Sequence, residues 1–180
     1  MAQQLDWIIL PDTRVAGNVL PSPEYKYDLY NLTTAEAICY GERTLGINLT
    51  WTDPSKTNNI RFQGQSGGSD PIKFDEPIAI HVRGGKWLVY KKRDTGINLG
   101  WSDTPKFEWL FKGGAAGASV VSGNTLGLYS TVENDYIMYE ERDWGINLKW
   151  YKDKGKHDTW TTIKTTAGDV IEILEKVPGI

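Results

Sequence analysis

Three short stretches of the chain carry the residues best suited to hold a ligand. Arg43 and Asn48 lie within the stretch Tyr-Gly-Glu-Arg-Thr-Leu-Gly-Ile-Asn-Leu-Thr-Trp that runs from Tyr40 to Trp51; Arg93 and Asn98, between Tyr90 and Trp101, and Arg142 and Asn147, between Tyr139 and Trp150, hold the same places in two further copies. An Asn amide offers both a donor and an acceptor to ligand hydroxyls, and an aromatic face stacks on apolar C–H patches. Three equivalent polar pockets, each with a fixed Arg and Asn beside an aromatic, would suit a hydroxyl-rich ligand. A structural account competes: Asn can bond neighbouring backbone, and Arg can cover the hairpin or pair with an acid. Asp53 and Asp103 follow the motif Trp in two copies, whereas the third copy reads Trp-Tyr-Lys-Asp and breaks the pattern. Trp144, an extra aromatic in the third turn, is a further contact candidate.

Catalysis demands more than these residues offer. A nucleophile with its base, a carboxylate pair at fixed distance or a metal cluster is required. The two histidines, His81 and His157, are far apart, and His81 sits in an alternating strand where a structural role fits. With Cys39 as the one cysteine, an ordinary zinc site is nearly excluded, and its apolar setting reads as a buried, inert thiol. Glu42 and Glu141 correspond to Lys92, so the unit itself requires no acid there. The expectation is a binding protein, not an enzyme, with no cofactor and no metal.

Charge and hydropathy narrow the partners. Lys and Arg number 20 against 23 Asp and Glu, a formal charge of -3, so the chain lacks the basic footprint that nucleic acid would call for. No apolar run reaches membrane length, so no transmembrane segment is expected, and no basic stretch followed by an apolar run opens the chain. A cytoplasmic protein, or one exported without a signal peptide of the usual kind, is the expectation.

The elements that must position these residues follow from the repeat. The shared pattern Y-x-x-R-x-x-G-I-N-L-x-W is identical at seven of twelve positions, with spacings of 50 and 49 residues, which composition bias does not produce. Alternating apolar residues and intervening turn residues resolve each copy into four strand-like pieces. The first are 27–30, 78–81 and 126–129; the second are 37–40, 87–90 and 136–139. The third are the Gly-Ile-Asn-Leu-x-Trp segments, and the fourth are 60–62, 107–111 and 160–163. Between second and third pieces a hairpin turn is predicted, with Gly46, Gly96 and Gly145 at positive φ. A period of two then turns Ile47, Leu49 and Trp51, and their counterparts Ile97, Leu99, Trp101 and Ile146, Leu148, Trp150, to one buried face.

The whole chain, 1–180, reads as a single domain with repeats at roughly 24–70, 71–123 and 124–168. Extra strands are expected at 5–10 and 169–174, either pairing with each other or extending the barrel. Glycine-rich segments at 64–70 and 113–119 lack the Gly-Lys-Ser/Thr ending of a phosphate-binding loop and read as loops between repeats.

Three copies of a four-strand unit, with these tyrosines, Gly-Ile-Asn-Leu motifs and spacings, resemble the β-trefoil superfamily over roughly residues 24–168. That resemblance implies an all-β fold in which six strands form a short barrel and three hairpins cap one end; a threefold β-prism is the rival architecture. The Gln-x-Trp signature of the ricin-B-like lectins is absent, and Gly-Ile-Asn-Leu-x-Trp takes a comparable place. Since proteins similar to β-trefoils commonly bind glycans, the resemblance implies a lectin-like protein whose partner is a glycan or glycoconjugate, held at up to three weak sites. The alternatives are a protein-binding trefoil, such as a protease inhibitor or cytoskeletal binder acting through a loop at 64–76 or 112–124, and a toxin-associated module that binds lipid or glycolipid.

Overall fold

The computed structural model describes residues 3–11, 17–21, 24–54 and 59–156, together with the backbone of 163–164 and 170–171. Twelve strands belong to one sheet: β1 (Trp7–Pro11), β2 (Tyr27–Asn31), β3 (Glu36–Tyr40), β4 (Leu49–Thr52), β5 (Ile60–Gly64), β6 (Ile78–Val82), β7 (Trp87–Tyr90), β8 (Leu99–Ser102), β9 (Trp109–Lys112), β10 (Thr125–Ser130), β11 (Asp135–Tyr139) and β12 (Leu148–Trp150). Six of them close on themselves. β1 pairs with β2, β2 with β5, β5 with β6, β6 with β9, β9 with β10, and β10 returns to β1, all antiparallel. Closure leaves the barrel without an open edge, whose unpaired backbone groups would invite association.

Three hairpins leave this barrel: β3–β4 from β2, β7–β8 from β6 and β11–β12 from β10. Alternation along the barrel strands sends Trp7 and Ile9, Tyr27 and Leu29, Ile60 and Phe62, Ile78 and Ile80, Trp109 and Phe111, and Leu126 and Leu128 inward, all essentially without solvent exposure. The first terminal strand is therefore an integral barrel stave, running from Trp7 to Pro11 between β2 and β10. Of the segment 169–174, only β14 (Val170–Ile171) is described, and it pairs with β13 (Ile163–Lys164) in a separate ladder. The rest of that segment, most of the piece at 160–163, and His157 lie outside the described residues.

One end of the barrel is closed by loops. Val19, Ile72 and Val120 lie in the connections β1–β2, β5–β6 and β9–β10 and are buried. Val19 N–H donates to Val120 C=O, Val120 N–H to Ile72 C=O, and Ile72 N–H to Val19 C=O, each at 2.8 Å. Buried backbone groups that no strand can pair thus satisfy one another in a ring.

Candidate functional site

The hairpin tips supply the repeated residues, and their local geometry is the same in each. Leu49 N–H donates to Ile47 C=O, Leu99 N–H to Ile97 C=O and Leu148 N–H to Ile146 C=O, each at 2.7 Å, a tight turn centred on the motif Asn. The third strands consequently begin at the Leu of Gly-Ile-Asn-Leu, later than a period of two alone implies. Ile and Leu of all three copies are still buried. Gly46, Gly96 and Gly145 adopt φ of 80°, 77° and 79°, the left-handed region in which a β-carbon is strained. They also meet: a β-carbon on Gly46 would stand 3.1 Å from Gly145 Cα, and one on Gly96 would stand 3.2 Å from Gly46 Cα. Three hairpin tips converge at one point because none of these residues has a side chain.

The polar motif residues are occupied in holding this shape. Asn48 Oδ1 accepts from Arg43 N–H, Asn98 Oδ1 from Arg93 N–H and Asn147 Oδ1 from Arg142 N–H, each at 2.9 Å. Each Arg side chain donates to the carbonyl of the motif Leu, Leu49, Leu99 or Leu148, and Arg43 also reaches Gly145 C=O at 3.1 Å. Such bonds replace water for backbone groups that the turn leaves without partners. Each Arg and Asn thus helps hold its own turn, one set per hairpin, as the structural account of the motif has it.

Aromatic residues tie the hairpins together in a cycle. Tyr40 packs on Trp101 with ring centroids 6.1 Å apart, Tyr90 on Trp150 at 6.2 Å, and Tyr139 on Trp51 at 5.8 Å. Each motif's Tyr covers the Trp of the next, so the nine residues expected in the core divide: six Ile and Leu with Trp150 are buried, while Trp51 and Trp101 are half-buried at its rim. Trp51 stacks on Trp7 and Trp150 on Trp109, which anchors the hairpins to β1 and β9.

At the Tyr40–Trp101 junction the surface opens into a cavity of about 280 Å³ lined by Tyr40, Asn48, Trp101, Asp103, Lys86 and the turn glycines Gly84 and Gly85. Two residues singled out by sequence, Asn48 and Asp103, meet there although they come from different copies. The β6–β7 turn explains the opening. Val82 N–H donates to Lys86 C=O at 3.1 Å, so three residues bridge strands where 32–35 and 131–134 use four. The glycines add no side chains: a β-carbon on Gly85 would stand 2.8 Å from the Trp101 ring. Lys86 and Asp103, both largely exposed, form an ion pair at the rim. At the corresponding place beside Trp150, Lys152 pairs with Glu133, with the charges exchanged between strand end and turn.

The remaining candidates lie apart. Asp53 is exposed at the end of β4, and Trp144 is 38% exposed at the third hairpin tip. Cys39 is half-buried, and burial, followed by the charges of Asp28 and Glu36, pushes its thiol up, away from the reactive thiolate. His81 packs edge-on against Trp87 at 5.1 Å; burial and then the Arg61 charge push its pKa down. Among the described residues no cluster of three His, Cys, Asp or Glu is placed to hold a metal, and no helix is long and apolar enough to cross a membrane. Sequence reasoning passed over Tyr40 and Trp101 as a pair and Lys86 altogether. The Gly-Gly of the β6–β7 turn was the available signal.

Comparison with known proteins adds no relative: no family model, curated protein or solved structure matches the chain.

Proposed function

We propose that this chain is a non-catalytic, lectin-like β-trefoil whose principal glycan site is the cavity between Tyr40 and Trp101. The trefoil reading is supported by a closed six-stranded barrel with three hairpins whose glycines and aromatic pairs follow one another cyclically. The observation that carries the binding reading is the joining, in one concavity, of an aromatic pair with Asn48, Asp103 and Lys86. Trp101 offers a ring for the apolar face of a pyranose, Asp103 accepts from hydroxyls, and Lys86 donates to them. Asn48 uses its oxygen on Arg43 and directs its amide nitrogen at Tyr40 Oη, 3.4 Å away, which leaves a second amide proton for the ligand. A single carboxylate lines the cavity, where hydrolysis of a glycoside by the usual route needs two, so the reading is binding without turnover.

A glycan array probed with the wild-type protein and with Asp103→Ala tests this directly. Defined glycans should be retained by the wild type and lost by the variant, whose substitution falls on an exposed side chain and spares the fold. An array on which no glycan exceeds background, or on which Asp103→Ala binds as wild type, would overturn the reading. A protein partner engaging the β5–β6 loop is the second reading, supported by a larger cavity of about 380 Å³ that Gln65, Asp70, Lys73 and Glu76 help line. Exchange of that loop should then abolish partner binding and leave the array unchanged.

A further inference from the structure

On the other side of the β6–β7 turn lies a second concavity, of about 300 Å³, lined by Lys26, Asn59, Ile60, Arg61, His81, Arg83 and Gly84. Its electrostatics oppose those of the chain as a whole. The protein carries a formal charge of -3, yet three cations and no carboxylate line this hollow. Strand pairing brings them together: Tyr27 lies opposite Ile60, so Lys26 and Arg61 follow on neighbouring strands; Arg61 lies opposite His81; and Arg83 N–H donates to Asn59 C=O at 2.7 Å. Lys86, Lys112, Lys149, Lys152 and Lys156 have acidic partners, but none of Lys26, Arg61 and Arg83 forms an ion pair with a described residue. The Arg61 guanidinium instead lies over the Trp87 ring, 5.5 Å from its centroid, and the same ring meets His81 edge-on. Packing of this kind fixes the Arg fork in place before any ligand arrives.

One further group lacks a partner. Asn59 Nδ2 is buried and has no hydrogen-bond partner among the described residues, an arrangement that is costly when nothing compensates it. A donor left in this way beside three unpaired cations is what an oxyanion would satisfy. Guanidinium and ammonium groups make short, charge-assisted bonds to sulfate or phosphate oxygens, Arg in bidentate fashion.

We propose that the hollow bounded by Lys26, Asn59, Arg61, His81 and Arg83 is a binding site for a tetrahedral oxyanion, sulfate or phosphate, either free or as an ester on a larger ligand. The site stands whether or not the neighbouring cavity holds a saccharide. Gly84 lines both hollows, so a ligand filling the two together would be a sulfated or phosphorylated sugar.

The test is a titration of isotope-labelled protein with sodium sulfate, and separately with inorganic phosphate, followed by amide NMR shifts against sodium chloride of equal ionic strength. Saturable shifts at Asn59, Arg61, His81 and Gly84 are expected with the oxyanions and not with chloride. Lys26→Gln/Arg83→Gln, which alters two exposed side chains and therefore spares the fold, should weaken the response at least tenfold. Shifts that fail to saturate, that chloride reproduces, or that the double variant retains would overturn the proposal. Galactose 6-sulfate and galactose identify the source of the anion: tighter binding of the sulfated sugar than of either free sulfate or galactose marks an ester, and equality with free sulfate marks the inorganic ion. Asp103→Ala keeps the sulfate response in either case, which separates this site from the glycan reading.

Discussion

Tyr40, in the first motif, rests on Trp101, in the second, with ring centroids 6.1 Å apart and planes inclined at 45°. The same contact recurs between second and third motifs and between third and first, so each hairpin also leans on the next in a closed cycle. An aromatic pair of this kind contributes about 0.5–1.5 kcal/mol beyond the area it buries. Trp101 is half-buried, so Trp101→Ala should cost less than the roughly 3–5 kcal/mol of a fully buried ring in urea unfolding, and it should remove glycan binding at the Tyr40 cavity. Trp101→Phe, which keeps a ring on Tyr40, should recover most of the stability.

The meeting of the hairpin tips makes a second prediction. Gly46→Ala combines a strained φ of 80° with a β-carbon 3.1 Å from the backbone of Gly145, which has no side chain to move aside. Gly67 shares the positive φ, at 70°, but a β-carbon there would meet nothing within 4 Å. Strain alone costs about 1–3 kcal/mol. Denaturation midpoints should place Gly67→Ala within that range and Gly46→Ala clearly beyond it; equal losses would show that the tips have room to part.

The motif Asn can be separated into its structural and ligand-facing parts. Asn98→Ala should lower stability by about 1–2 kcal/mol, because Arg93 N–H loses its acceptor, and leave glycan binding intact. Asn98→Asp keeps that acceptor and should be milder. Asn48→Ala should match Asn98→Ala in stability and differ in losing binding. Loss of binding in both would return all three copies to candidacy as sites.

Asp6 gives the fold a pH dependence with a definite sign. It is buried beside Asn31, whose Nδ2 donates to its Oδ2 at 3.4 Å, and burial pushes its carboxyl above the ordinary value. A folded state that holds this proton more tightly than the unfolded chain loses stability as pH rises through the raised pKa, and regains it as pH falls back toward the unfolded value. Asp6→Asn should raise the thermal midpoint at neutral pH and flatten its variation down to about pH 4, near the ordinary Asp pKa. A variant no more stable than wild type at pH 7 would show the charged form to be well accommodated.

What the sequence determined by itself was local. The period of two placed Ile47, Leu49 and their counterparts inside, and the repeated Gly announced a positive φ, because both depend on residues a few positions apart. The bond from Asn48 to Arg43 N–H was legible as one of two options for the same reason. Contacts between distant parts of the chain were not. That β1 closes the barrel, that Val19, Ile72 and Val120 plug its end, that Tyr40 finds Trp101 and that Asn48 shares a cavity with Asp103 depend on how closure brings three hairpins to one axis. Periodicity states which face of a strand is buried; it carries no term for which strand will cover it, and that choice was made only when the barrel closed.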